Sequence, residues 1–361
     1  MRKLRLRYLS GSLLLIFSCS VTSFAWGERG HRLTARIASR FLTPQSQSLI
    51  VDLLKADIVS NPAYYQTNCP NVAALSNQTS LTPAEISTFI DLGLACIAPW
   101  PDPPLKWDRP YTSNWHFIDI PVDMSAPGGP TTTTANLARD CLMDDERGDC
   151  AINALRRFRP VLANPKEQPI SRVEALKFIV HIIGDLHQPL HCVTDKKNFN
   201  DPKDLGDIGG NRKIVQFNVP NWEHNIHKDV NARWKEQWNL HSVWDEGIID
   251  ATMNLQKLDE DKYLALLLKP VRKVSAAELA KLQSGDLFTW IADSYSIAVK
   301  KAYKLPKFDP TYEYLDKKGN KHTGGYKLPP SYYAANGDVV SDQLLTGGLR
   351  LARFLNDTLA K

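Results

Sequence analysis

Residues 171–191 read SRVEALKFIVHIIGDLHQPLH, and the rest of the chain can be interpreted outward from them. Ser171 followed by Glu174 has the spacing of a capping box. Val173, Leu176, Phe178, Ile179, Val180, Ile182, Ile183 and Leu186 make the following segment apolar on nearly all sides, and Gln188-Pro189 stops it. The pattern predicts a helix over 172–188 that is buried all round, the central helix of its domain. His181 and Asp185, four positions apart, then share one face of a buried helix. Two polar groups in such a place are costly unless something satisfies them, and a metal ion would do so.

Outward from this helix the same chemistry recurs. His187 and His191 extend the run to four metal-capable side chains in eleven residues, HIIGDLHQPLH. A second helical pair, His241 and Asp245, repeats the His-x-x-x-Asp spacing, and His31 and His116 also lie close to carboxylates in apolar or aromatic surroundings. His187 falls off the face of Asp185, so a supporting structural role is expected for it. His224 and His227 are expected in solvent, and His322 on the surface. Taken singly, a His-x-x-x-Asp pair on an apolar helix reads as a satisfied core pair; the repetition is what favours a metal cluster.

The remaining periodicity is mostly helical. Helices are expected over 28–41, 52–58, 84–97, 241–255, 259–268, 276–282, 287–303 and 339–359. Six prolines between positions 99 and 121 predict an extended, helix-free connection there. Residues 213–219 are strand-like, and Lys317-Lys318-Gly319-Asn320 reads as a turn in a polar loop. No repeat and no long linker divides the chain. The expected fold class is all-α: a single mainly helical domain spanning 26–361, with a small β-hairpin or loop insertion.

The first 25 residues differ from the rest. Arg2, Lys3, Arg5 and Arg7 precede a short apolar run and Ser23-Phe24-Ala25, the pattern of a signal peptide cleaved after residue 25. A lipoprotein-type cleavage before Cys19 is the competing route. The chain has 44 Lys and Arg against 39 Asp and Glu; without residues 1–25 the basic count falls to 40, so the remainder is nearly neutral. A general polycationic surface is therefore excluded, and any phosphate affinity must be local. Cys141 with Cys150 and Cys69 with Cys96 are the simplest disulfides in an oxidising compartment, leaving Cys192 over. The expected location is secreted or periplasmic, with no transmembrane anchor. Sequons stand at Asn77 and Asn356.

Together these landmarks resemble the secreted zinc-dependent single-strand nucleases, the type I or S-one/P-one nucleases, relatives of bacterial zinc phospholipase C. They are Trp26-Gly27 with His31, Trp100-Pro101-Asp102, Trp115-His116-Phe117-Ile118-Asp119, HIIGDLHQPLH, Gly209-Gly210-Asn211, residues 239–245 (NLHSVWD) and residues 347–356 (GGLRLARFLN). The resemblance implies an all-α fold around a cleft holding three zinc ions. It assigns one zinc to the amine and carbonyl of Trp26 with His31 and Asp185. A second takes Asp102, His116 and His181, sharing Asp185, and the third takes His191, His241 and Asp245. Asp102 is implied to orient or deprotonate the attacking water, Phe117 to stack on a base, Asp119 to bond the base edge, and Asn211 to lie near the phosphate.

Two departures stand out. Leu105 occupies the position where the family carries a basic residue, so Lys106 is the substitute phosphate contact. The fifty positions between His191 and His241 also exceed the family's usual spacing. The implied activity is hydrolysis of single-stranded RNA and DNA to 5′-phosphorylated products and removal of 3′-phosphates from nucleotides, by a monomer without a stable protein partner. The alternatives are a zinc phospholipase C acting on lipid head groups and a non-catalytic, zinc-stabilised binding protein.

Overall fold

Eleven consecutive residues, Ala175 to Asp185, are buried in the helix Pro169–Asp185, which runs through the middle of the computed structural model. That model describes residues 26–103, 105–122, 140–141, 148–196, 205–222, 238–316 and 319–360. Residues 1–25, where a signal peptide is expected, and residues 223–237, which include His224 and His227, lie outside the described residues. Around the central helix pack the N-terminal helix Glu28–Ser39, Pro44–Ser60, Pro83–Ile97, Ala151–Ala163 and the long C-terminal helix Pro330–Leu359. The fold is mainly helical, as its periodicity predicts.

The central helix does not begin where its apparent capping box lies. It starts at Pro169, whose fixed φ suits the first turn, with Gln168 as N-cap and no side-chain cap. Ser171 therefore sits inside the helix, and Glu174 instead accepts a hydrogen bond from Arg109 (3.0 Å). The other end also differs: the last helical residue is Asp185, not Gln188. Pro189 disfavours helical backbone at the residue before it, and the chain turns into a 3-10 segment, Pro189–Cys192, with the Gln188 side chain accepting from Leu190 N (2.6 Å).

Proline misleads similarly elsewhere. The stretch 99–121 contains a turn of helix at Leu105–Asp108 and a 3-10 helix at Pro110–His116, because Pro110 stands at a first-turn position where its missing N–H costs nothing. The helix expected over 52–58 starts eight residues earlier, at Pro44, with Thr43 accepting from Ser46 N (3.3 Å). The C-terminal helix likewise extends back to Pro330.

Glycine lets the outer helices close on the site. A Cβ at Gly348 would lie 2.5 Å from Ile37, so the C-terminal helix can approach the N-terminal one only without a side chain there. Two disulfides, Cys69–Cys96 and Cys141–Cys150, match the expected pairs, and Cys192 is free and buried.

Four strands occur among the described residues: β1 (Ile214–Phe217), β2 (Trp238–Asn239), β3 (Asp309–Leu315) and β4 (Lys321–Leu328). They form one sheet in the order β2-β1-β4-β3, with β1 antiparallel to β2 and parallel to β4. β3 and β4 pair antiparallel up to Leu315 opposite Lys321; Lys317 and Lys318, expected in a turn between them, lie outside the described residues. No described helix is long and apolar enough to cross a membrane.

Candidate metal centre

Eight histidine and aspartate side chains from six parts of the chain meet at the C-terminal end of the central helix. His31 comes from the N-terminal helix, Asp102 from the turn after Pro83–Ile97, and His116 from the end of the 3-10 helix Pro110–His116. His181 and Asp185 come from the central helix itself, His191 from the 3-10 turn that follows it, and His241 and Asp245 from the segment after β2. They form three groups of convergent ligand atoms: His31, His181 and Asp185; Asp102, His116 and His181; and His191, His241 and Asp245.

The first two groups share residues and lie in contact. Asp185 places Oδ1 3.1 Å from His31 Nε2 and Oδ2 3.1 Å from His116 Nδ1 and 3.3 Å from His181 Nε2. Asp102 Oδ1 is 3.7 Å from His181 Nε2 and 4.0 Å from His116 Nδ1. The His31 and His181 rings stack, with centroids 3.8 Å apart. Both ring nitrogens of His31 and Nε2 of His116 are buried without a hydrogen-bond partner.

The third group gives the sharpest argument. His191 Nδ1 donates to the His116 carbonyl (2.7 Å), and His241 Nδ1 donates to the Gly209 carbonyl (2.7 Å). In a neutral imidazole that leaves Nε2 as a bare acceptor. The two Nε2 atoms lie 3.0 Å apart. Two lone pairs facing each other repel, and a cation bound by both removes the repulsion. His181 is oriented the same way, by Nδ1 donating to the Ala98 carbonyl (2.7 Å), the backbone support that metal-binding histidines commonly have.

Burial sets the protonation states. It holds His31, His116, His181 and His191 well below the ordinary imidazole range, with neighbouring imidazoles or Lys106 pushing the same way. Burial also raises Asp185 and Asp245, and the charge of Asp102 adds to the rise at both. Neutral imidazoles and buried carboxylates are the donor set that suits zinc.

The residues expected to meet substrate are more varied. Lys106 is buried and pairs with Asp102 (Nζ to Oδ1, 2.9 Å), one helical turn away. Phe117 and Asp119 are half-buried on the extended segment just after His116. Asn211 donates through Nδ2 to the Ile208 carbonyl (2.8 Å), and its Oδ1 lies 3.5 Å from Asn239 Nδ2, so its amide braces the Gly209-Gly210-Asn211 loop against β2. His187 has the supporting role expected of it, with Nδ1 donating to the Ile183 carbonyl (2.8 Å) and Arg350 3.3 Å from Nε2. Cys192 takes no part in the groups; burial raises its thiol, which contacts the Leu186 carbonyl. Trp26 is fully buried, packed near Gly184, and Gly27 N donates to the Asp245 carbonyl (3.1 Å).

Two contributors were not foreseen. Gln188 is fully buried and donates through Nε2 to Asp245 Oδ1 (2.6 Å). Its place in the stop signal Gln188-Pro189 hid a polar side chain facing the site. Gly209 has φ +56, and a Cβ there would lie 2.3 Å from the Leu190 carbonyl and 3.2 Å from His241 Nδ1. Gly209→Ala should therefore displace the carbonyl that orients His241 and weaken metal binding there by about 10–100-fold. Metal content after dialysis checks this; wild-type retention would remove Gly209 from the support of the third group.

Comparison with known proteins agrees with this geometry. Residues 26–360 match the family model described as S1/P1 Nuclease. Endonuclease 1 of Arabidopsis thaliana is 28% identical over 362 residues, covering 98% of this chain and 92% of that protein. Nuclease S1 of Aspergillus oryzae is 26% identical, covering 92% of each chain. Nuclease P1 of Penicillium citrinum is 22% identical, covering 92% of this chain and 97% of its own length. With the match running from Trp26 through all three histidine and aspartate groups to the C-terminal helix, the chain belongs to the S1/P1 nuclease family.

Proposed function

We propose that this protein is a secreted or periplasmic zinc phosphoesterase that cleaves single-stranded RNA and DNA to 5′-phosphorylated products and removes 3′-phosphates from nucleotides. The observation that carries the reading is the junction of three histidine and aspartate groups, two of them sharing His181, in a chain of the nuclease family. Three zinc ions would be held by Trp26, His31 and Asp185; by Asp102, His116, His181 and Asp185; and by His191, His241 and Asp245. Zinc supplies Lewis acidity toward phosphoryl oxygens and makes water acidic enough to attack near neutral pH.

The chain's own residues do the rest. Asp102 orients the attacking water and accepts its proton. Lys106, paired with Asp102 in the resting site, balances that carboxylate and is the residue that would meet a phosphate. Phe117 offers its half-exposed ring as a stacking surface that tolerates any base, and Asp119 accepts from a base edge. The terminal amine of Trp26 becomes available once residues 1–25 are removed.

The test is a substrate panel on mature protein with metal analysis and chelation. Denatured DNA, RNA and a 3′-mononucleotide should all be hydrolysed, chelation should abolish turnover and zinc should restore it, with three equivalents bound per chain. Turnover of phosphatidylcholine alone would make the protein a phospholipase C. Zinc-dependent stability with no phosphoester cleaved would make it a binding protein.

A further inference from the structure

The chain from residue 26 onward is nearly neutral, yet residues 300–327 carry eight lysines against three acidic residues. This segment enters and forms the β3–β4 hairpin. Lys300, Lys301, Lys304, Lys307 and Lys321 are exposed, and among the described residues none of their ammonium groups has an ion pair or hydrogen bond. Lys327, also exposed, pairs with Asp309 (2.8 Å). A charge excess of this size, confined to one segment of a neutral chain, is a local footprint for a polyanion.

The hairpin adds flat rings to the charge. Tyr312 and Tyr314, two positions apart on one face of β3, stack with centroids 6.4 Å apart, and Tyr314 stacks on His322 across the strand pair at 5.3 Å. Phe308 is 49% exposed and leans on Tyr326 (5.3 Å). The rings also brace the hairpin: a Cβ at Gly324 would lie 2.7 Å from Phe308, and one at Gly325 2.5 Å from Tyr312. Bracing accounts for the glycines. It does not account for the unpaired lysines.

The sheet also bounds how far the hairpin lies from the strand that leads into the metal centre. In the order β2-β1-β4-β3, β2 leads directly into His241. Three strand spacings put β3 roughly 14 Å from β2, so a chain of a few nucleotides leaving the third histidine and aspartate group can reach the hairpin.

We propose that Lys300, Lys301, Lys304, Lys307 and Lys321, with Tyr312 and Tyr314, form a second contact surface for single-stranded nucleic acid, gripping phosphates with lysines and presenting tyrosine faces to bases beyond those at the metal centre. The inference rests on the proposed nuclease activity and deepens it, because it separates polynucleotides from mononucleotides as substrates.

The test uses the mature holoenzyme with Lys304→Glu, Lys307→Glu and Lys321→Glu combined, beside a charge-matched control, Lys166→Glu, Lys273→Glu and Lys281→Glu. The hairpin variant should raise KM for denatured DNA or RNA about tenfold at low salt, leave 3′-mononucleotide turnover unchanged, and flatten the dependence of log KM on log salt by about 2. The control should do none of this. An unchanged KM in the hairpin variant, or an equal effect in the control, overturns the surface while leaving the nuclease reading standing. Failure of the wild type to cleave any polynucleotide overturns both. If the variant loses adsorption to phosphatidylglycerol vesicles but keeps its polynucleotide KM, the patch belongs to a membrane surface and the proposal fails.

Discussion

Asp102→Asn should lower phosphoester hydrolysis by about a thousandfold or more, the size expected when several kcal/mol of charge stabilisation and the proton acceptor are lost together. Asp102 is nearly buried and stands within 4.0 Å of both His116 and His181. An asparagine has the same shape but no charge and little basicity. The structure adds a second, separable effect: Lys106 loses the carboxylate that it pairs with, so stability should fall by about 1–3 kcal/mol. The double variant Asp102→Asn with Lys106→Met then distinguishes the two losses. Thermal unfolding should recover toward wild type, whereas turnover should not. Near wild-type turnover in either variant would refute the catalytic assignment of Asp102.

A single residue added ahead of Trp26 should be almost as damaging as removing a ligand. A primary amine carries a free lone pair; an amide nitrogen has given its lone pair to the peptide bond and cannot donate it to a metal. Trp26 is fully buried, and the Cβ of a residue at position 30 would already collide with it, so the extended chain has no room to swing its new amine into the same place. We expect metal analysis to show one equivalent fewer after mild dialysis, with affinity at that site reduced at least ~100-fold. Activity should fall with it. An extended protein with full metal content and full activity would remove Trp26 from the ligand set.

The parts of this architecture legible in the sequence are those governed by short-range periodicity. The His181 and Asp185 pair and the buried central helix follow from spacings of a few residues together with apolar patterning, and both disulfides from the simplest pairing of cysteines along the chain. Prolines were harder to interpret, because the same residue forbids a helix interior and favours its first turn; Pro44, Pro110 and Pro169 all open helical segments. Contacts between distant positions left no local trace. Nothing near Gln188 announces Asp245, 57 positions on. The carbonyls of Ala98, His116 and Gly209 that aim three histidines are invisible for a simpler reason: every residue has one, and only the fold decides where it points.

The helix expected over 241–255 hides one further departure. Residues Val243–Gly247 form a π-turn, with Ile248 N donating to the Val243 carbonyl five residues back. Such turns are uncommon and tend to occur at functional sites. Here the turn contains Asp245, whose carbonyl receives the N–H of Gly27 from the far end of the chain. The widened turn therefore works as a clasp. The start of the described chain is fastened to the backbone of the third histidine and aspartate group, although its first residue is proposed for the first. Assembly of the two ends becomes interdependent: a chain whose leading residues are still unsettled also lacks one of the contacts that fixes the backbone at Asp245.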